Sequence, residues 1–175
     1  MPDVILVDEN DSPVGAMEKM EAHYSGSLHR AFSIFIFNSK GEMLIQQRAD
    51  SKYHSGGLWT NACCSHPMPG EDVNRAAQRR LIEELGFYTT LNKAFSFSYY
   101  AAFSNGLIEN EFDHVFTGTY DGSVHPASGE VKDYCFMSMN HIKDSITSHP
   151  AKYTEWFKIA FPKVEEYIAA TVTHE

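Results

Sequence analysis

The sequence predicts an α/β or α+β sandwich. Three observations carry that prediction. Apolar runs of strand length both precede and follow a stretch that reads as a helix ending at Gly86. A second stretch of helical spacing closes the chain at Ala151–Ala170. No repeat, low-complexity segment or linker interrupts the 175 residues, a length most simply folded as one domain over 1–175 with a sizeable core.

Taken in order, Val4–Val7 is a short strand closed by the turn sequence DENDSP, and Val14–Met20 is the returning strand. Phe32–Phe37 (FSIFIF) is almost wholly apolar, as suits a strand covered on both faces. Asn38-Ser39-Lys40-Gly41 is a hairpin connection and Met43–Gln47 its return. From Trp59 the chain reads as a strand carrying Cys64 and His66, a Pro/Gly-punctuated turn at Pro67–Gly70, and then the central helix, with Asp72 or Asn74 as its cap. Phe95–Phe103 is an aromatic strand, Asn105-Gly106 a hairpin signal and Leu107–Tyr120 the return. Residues 121–130 read as loop, Val131–Met137 as a strand and Asn140–Ser145 as a short helix. Tyr153, Trp156, Phe157, Ala160, Val164, Tyr167 and Ile168 recur at helical spacing, and Pro162 implies a kink or two helical pieces.

The central helix holds an anomaly. At roughly 100° per residue from Val73, the apolar arc runs from about 300° (Ala76) through about 40° (Ala77) to about 120° (Leu85). Arg80 at about 340° and Glu84 at about 20° fall inside that arc. Unpaired buried charge costs several kcal/mol or shifts its pKa. Either the two pair with each other at i,i+4, or the apolar face borders a site where Glu84 holds a metal ion and Arg80 meets an anion.

Composition narrows the function classes. A formal charge of −9 argues against general attraction to nucleic acid, but not against a phosphorylated small molecule in a local basic pocket. No apolar run approaches the roughly 20 residues that span a bilayer, and the N-terminus lacks a signal-peptide pattern. Three cysteines, Cys63, Cys64 and Cys135, form no disulfide pattern, which fits a reducing cytoplasm. The expected partner is thus a small molecule, with no nucleic acid and no membrane, and the chain is expected to be a monomer or weak homodimer.

Cys64 and His66 lie two apart on the presumed strand and share a face, and C-x-H admits three readings. It is a core cysteine beside an exposed histidine, a pair of zinc ligands, or a ligand histidine beside a free acid/base cysteine. In the third, His66 joins His23, His29, Glu109 and Glu111, a set that suits Zn²⁺ or Mn²⁺. Glu109 and Glu111 share a strand face and repel unless water or a cation separates them. Arg48 and Lys52 lead toward Cys64, and read alone are ordinary solubility charges.

The segment around Ser65, Glu71, Arg79, Arg80, Glu83, Glu84 and Gly86 resembles the Nudix signature, with Ser65 in place of a glycine and Arg80 in place of the first glutamate of the metal cluster. More of the chain resembles one branch of that superfamily, the type I isopentenyl-diphosphate Δ-isomerases. The blocks are Met17-Glu18-Lys19, His23, Leu28-His29-Arg30-Ala31-Phe32, Gln47-Arg48-Ala49, Ser51-Lys52, Trp59-Thr60-Asn61, Cys64-x-His66-Pro67 and Glu109-Asn110-Glu111, in order over roughly residues 4–161. There arginine is expected at position 80, while Ser65 remains a departure.

The resemblance implies a Nudix-like mixed sheet flanked by helices, with a core at about 27–161. It implies a divalent metal, Mn²⁺ or Zn²⁺, on His23, His29, His66, Glu109 and Glu111. Mg²⁺ would sit between a diphosphate and Glu84, assisted by the Cys64 backbone carbonyl. Lys19, Arg48, Lys52 and Arg80 would meet the diphosphate. Cys64 and Glu111 would be the acid/base groups, Tyr99 assisting, and Trp156 would face a carbocation. The activity implied is conversion of isopentenyl to dimethylallyl diphosphate. The alternatives are a Nudix hydrolase of a diphosphate and a non-catalytic diphosphate-binding module. Cys63 and Cys135 have no role in this reading, and His54, His114, His125, His141, His149 and His174 read as ordinary surface or loop histidines.

Overall fold

The structure, a computed structural model, describes residues 2–172. His174 lies outside the described residues. The elements run β1 (Asp3–Val7), β2 (Pro13–Glu18), α1 (Lys19–Ser25), β3 (His29–Phe37), β4 (Met43–Arg48), β5 (Trp59–Asn61), β6 (Cys63–Ser65), α2 (Val73–Leu85), β7 (Asn92–Ala102), β8 (Ile108–Thr119), β9 (Val131–Met137), α3 (Met139–Ser148) and α4 (Glu155–Val172).

The apolar strand β3 is the hub. It pairs antiparallel with β1, β4 and β6 and parallel with β8, from His29↔Glu111 to Phe37↔Thr119, so the sheet is mixed. Its side chains alternate between two cores. Phe32, Ile34 and Ile36 pack with Ala76, Ala77, Leu81 and Leu85 of α2. Phe35 packs with Ile142 of α3 and with Trp156, Phe157 and Val164 of α4. The sandwich expected from FSIFIF is thus α2 on one face of the sheet and α3 with α4 on the other. Among the described residues, no helix is long and apolar enough to cross a membrane.

Helix α2 carries the arc drawn from its sequence: Ala76, Ala77, Leu81, Glu84 and Leu85 are buried. Asp72, and not Asn74, caps it by accepting from the Arg75 N–H at 3.1 Å. Gly86 ends it at φ 71°, where an added Cβ would also stand 2.7 Å from the His125 carbonyl oxygen.

Three expectations need correction. The strand expected to reach Met20 stops at Glu18, whose side chain accepts from the Glu21 N–H at 2.9 Å and starts α1. The strand carrying Cys64 ends at Ser65, so His66 stands just beyond it. The C-terminal stretch forms a short 3-10 turn at Pro150–Lys152 and then one helix, which Pro162 does not divide.

Candidate active site

Strand register builds the site. Glu111 on β8 lies between His29 on the parallel neighbour β3 and Tyr99 on the antiparallel neighbour β7. Glu109, two residues back on the same face, is opposite Ala101. Helix α1 adds His23, and the end of β6 adds His66. Four of the expected ligands, His23, His29, His66 and Glu111, therefore converge, and Glu109 lies beside them with His23 and a group that was not expected. His54, expected to be an ordinary surface or loop histidine, is 5% exposed and sets Nε2 2.5 Å from Glu109 Oε1.

Each carboxylate sits between two imidazoles. Glu111 Oε2 is 2.6 Å from His66 Nε2 and 3.2 Å from His29 Nε2. Glu109 Oε1 is 2.5 Å from His54 Nε2 and 3.5 Å from His23 Nε2. The Tyr99 hydroxyl lies between the two and shares its one proton with Glu109 and Glu111.

Backbone carbonyls fix two of the rings. His23 Nδ1 lies 2.6 Å from the Lys19 oxygen and His29 Nδ1 2.9 Å from the Ser27 oxygen. A carbonyl only accepts, so both Nδ1 atoms carry protons and, in a neutral ring, Nε2 turns its lone pair inward. His23 Nε2 is fully buried and has no hydrogen-bond partner among the described residues; it faces a carboxylate oxygen instead. Two acceptors facing each other in a dry interior call for a cation between them.

The donor atoms of His23, His29, His66 and Glu111 all lie within 4.8 Å of one another, as do those of His23, His54 and Glu109. That spacing is close to the roughly 4.2–4.4 Å between opposite ligands of an ion with bonds of about 2.1–2.2 Å. Imidazoles with carboxylates suit a divalent ion of the Mn²⁺ or Zn²⁺ kind. The residues fit the metal the resemblance implies.

The titrations agree with such a centre. Burial would raise the Glu109 carboxyl, but the His23 and His54 imidazoles outweigh it and hold the group well below the usual carboxylate range. Glu111 is likewise held low against burial and against the Glu109 charge by His66 and His29. Burial brings His66 down to about 4, so it stays a neutral donor. Tyr99 is pushed well up, first by burial and then by Glu109, and keeps its proton.

Beside the cluster a small cavity of about 20 Å³, room for roughly one water, is lined by Cys64, Tyr99, Glu111, Trp156 and Arg48 among others. Cys64 stands opposite Ser33 in the β3–β6 register, its Sγ 3.4 Å from Ser33 Oγ and 3.2 Å from Asn61 Oδ1. Burial and then the Asp113 charge push the thiol up, so Cys64 keeps its proton. Asp113, buried and accepting from Ser33 Oγ at 2.6 Å, was missed by sequence reasoning. It shares the β8 face of Glu109 and Glu111, and strand parity could have found it.

Against this cavity, sharing Ser65 and His66 in its wall, lies an open pocket of about 220 Å³ lined by Lys19, Lys52, Arg79 and Arg80. Lys52 Nζ is 2.5 Å from Glu130 Oε2, and Arg80 is 2.6 Å from Glu83 Oε2, 3.5 Å from Glu130 Oε1 and 3.7 Å from Glu84 Oε2. The i,i+4 contact is thus the loosest of the three. Lys19 is lowered to about 8, first by burial and then by Lys52 and Arg48.

Arg48, expected with these cations, lines the inner cavity instead. Its guanidinium lies 5.0 Å from the Trp156 ring centre, and Nη2 donates to the His54 carbonyl at 3.2 Å. Trp156 thus contacts a resident cation within the cavity it was expected to line. Glu84 is buried beside Arg80 and accepts from the Cys63 thiol at 2.7 Å, a partner that the sequence did not flag. His114 is a second correction, 8% exposed and bound to Asp11 at 2.8 Å. His125, His141 and His149 are exposed, as expected.

The NUDIX domain family profile matches residues 27–157. Isopentenyl-diphosphate Delta-isomerase of Pectobacterium atrosepticum is 47% identical over 167 residues, covering 95% of this chain and 93% of its own length. Isopentenyl-diphosphate Delta-isomerase 1 of Aromatoleum aromaticum is 50% identical over 161 residues, covering 92% and 91%. Among solved structures, DR0079 from Deinococcus radiodurans superposes with a TM-score of 0.75 at 19% identity over 90% of this chain and 96% of that one, a likeness of fold. With this match across the sheet and helices that carry the site, and at this identity to its relatives, the chain belongs to the NUDIX domain family and, within it, to the isopentenyl-diphosphate Δ-isomerases.

Proposed function

We propose that the protein converts isopentenyl diphosphate to dimethylallyl diphosphate by adding a proton at C4 and removing one from C2, in isoprenoid biosynthesis. The observation that carries this reading is a juxtaposition. A thiol that keeps its proton and a carboxylate that has lost its own line one small cavity, and that cavity abuts a basic pocket.

An unactivated alkene is a poor base, so the step needs a positioned acid, a positioned base and exclusion of water. Cys64 and Glu111 are the two proton-handling groups, and the Tyr99 hydroxyl holds Glu111 in place. Trp156 and Tyr99, which line the cavity, would shield the developing cation. Lys19, Lys52 and Arg80 take the diphosphate, with Arg48 bridging from the inner cavity, so that anion binding positions an apolar, nearly featureless head. When bound, a Mn²⁺ or Zn²⁺ on His23, His29, His66, Glu109 and Glu111 would supply positive charge beside Glu111, and a Mg²⁺ near Glu84 and the Cys64 carbonyl would neutralise diphosphate charge. The three cysteines are free thiols, which supports action in a reducing cytoplasm.

The test is to incubate metal-replete protein with isopentenyl diphosphate and follow phosphorus and proton NMR. Dimethylallyl diphosphate with both phosphates retained supports the isomerase. Released phosphate points to a hydrolase, and unchanged but bound substrate to a binding module.

A further inference from the structure

The loop between β4 and β5 places His54 in the metal cluster, and its ring is held there from three sides. It stacks on Phe103 with centres 4.7 Å apart and planes 14° apart, and meets Tyr53 edge-on at 4.3 Å and Trp156 edge-on at 5.5 Å. Its backbone oxygen accepts from Arg48, and Nδ1 lies 3.2 Å from Ser55 Oγ. The loop turns back sharply. Ser55 adopts φ 55°, and a Cβ at Gly56 would stand 2.6 Å from the Asp50 carbonyl oxygen. Packing therefore leaves Nε2 one direction, toward Glu109 Oε1.

The donors form two groups that share His23. His29, His66 and Glu111 converge with it in one, and His54 and Glu109 in the other. Glu109 is the group that His54 touches, and its same oxygen lies 3.5 Å from the unpartnered His23 Nε2. The His54–Glu109 contact has hydrogen-bond length at 2.5 Å, and His54 stands outside the group in which His29, His66 and Glu111 converge with His23.

We propose that His54 is a positioning residue for the metal centre: its Nε2–H donates to Glu109 Oε1 and fixes that carboxylate toward His23, so that Glu109 can complete the donor set with His29, His66 and Glu111. His54 acts through Glu109 and does not itself enter the ion's coordination sphere. This rests on the metal-centre reading above, and the test separates the two.

The experiment measures Mn²⁺ affinity of the stripped full-length protein by chelator competition, with electron paramagnetic resonance of the bound ion, for the parent, His54→Ala and His54→Gln. The Gln amide keeps an N–H donor in place of the imidazole. Loss of such an outer partner lowers metal affinity by about 10–100-fold. The expected result is a loss of that size in His54→Ala, with His54→Gln within about threefold of the parent. Adding Glu109→Gln to His54→Ala should lower affinity further, because Glu109 is itself a donor, but by less than Glu109→Gln lowers it in the parent, because part of its effect is the contact already lost.

Parent-like affinity in His54→Ala overturns the proposal. So does an equal large loss in both variants, which would make His54 a ligand in its own right. A parent that binds no Mn²⁺ removes the metal-centre reading and this inference together.

Discussion

Strand β8 carries a charged cluster on each face, one half-buried and one buried, and the two are built in opposite ways. On one, His114 donates from Nε2 to Asp11 at 2.8 Å and accepts at Nδ1 from Lys93 Nζ at 2.6 Å, while Arg30 binds Asp11 through Nε at 2.8 Å. Each acceptor there has a donor, and the acid is met by cations from its own chain. On the other, four imidazoles surround Glu109 and Glu111, and the buried His23 Nε2 stands 3.5 Å from a carboxylate oxygen with no hydrogen-bond partner among the described residues. Buried histidine beside carboxylate occurs in both. What marks a site is the missing positive charge, which a bound ion supplies.

The largest expected effects break the second cluster. Glu111→Gln should lower isomerisation by at least about 10²–10⁴-fold and should reduce bound metal, read by elemental analysis. Cys64→Ala should lose activity on the same scale while keeping fold, metal and inorganic pyrophosphate binding, because Cys64 stands beside the donor set without belonging to it.

Metal removal comes next. An ion present at about 100 times its Kd stabilises by about 2.7 kcal/mol, so a chelator should lower Tm by several degrees. The other face should respond in the reverse way. Asp11→Ala should destabilise by about 1–3 kcal/mol in denaturant titration, since it leaves His114 Nε2 and Arg30 Nε without their carboxylate partner, yet leave metal content unchanged. A chelator effect of equal size in parent and Glu111→Gln would dissolve the distinction between the two faces.

The smallest effect is in the basic pocket. Lys19, lowered to about 8 by burial and then by its cationic neighbours, is charged below that pH and neutral above it. Pyrophosphate affinity should therefore hold up to about pH 8 and fall by up to about tenfold above it, and Lys19→Ala should flatten that step.

Much of this was legible from residues alone. The near-continuous apolar run of β3 announced a strand covered on both faces, and the α2 wheel placed Glu84 among buried residues before any contact was known. The five expected ligands came from the family motif, and strand parity agreed for Glu109 and Glu111. Helix α1 was not legible, because a strand-like stretch turns helical only through the Glu18 cap and the glycine at φ 71° that ends it. His54 sits in a loop with no periodicity, and what aims it is tertiary: Phe103, Tyr53 and Trp156, far away in sequence or too generic to read. The Gly56-Gly57 pair after it was the one local hint of a tight, purposeful turn. His114 needed Asp11 and Lys93, each more than twenty positions away.

The most direct measurement is to incubate the metal-replete protein with isopentenyl diphosphate in deuterated water and read the product by proton NMR. Protonation by a solvent-exchanging group at C4 predicts dimethylallyl diphosphate with deuterium in the newly formed methyl group. Dimethylallyl diphosphate free of deuterium would contradict that account, as the hydrogen would then have moved within the substrate without passing through Cys64 or Glu111.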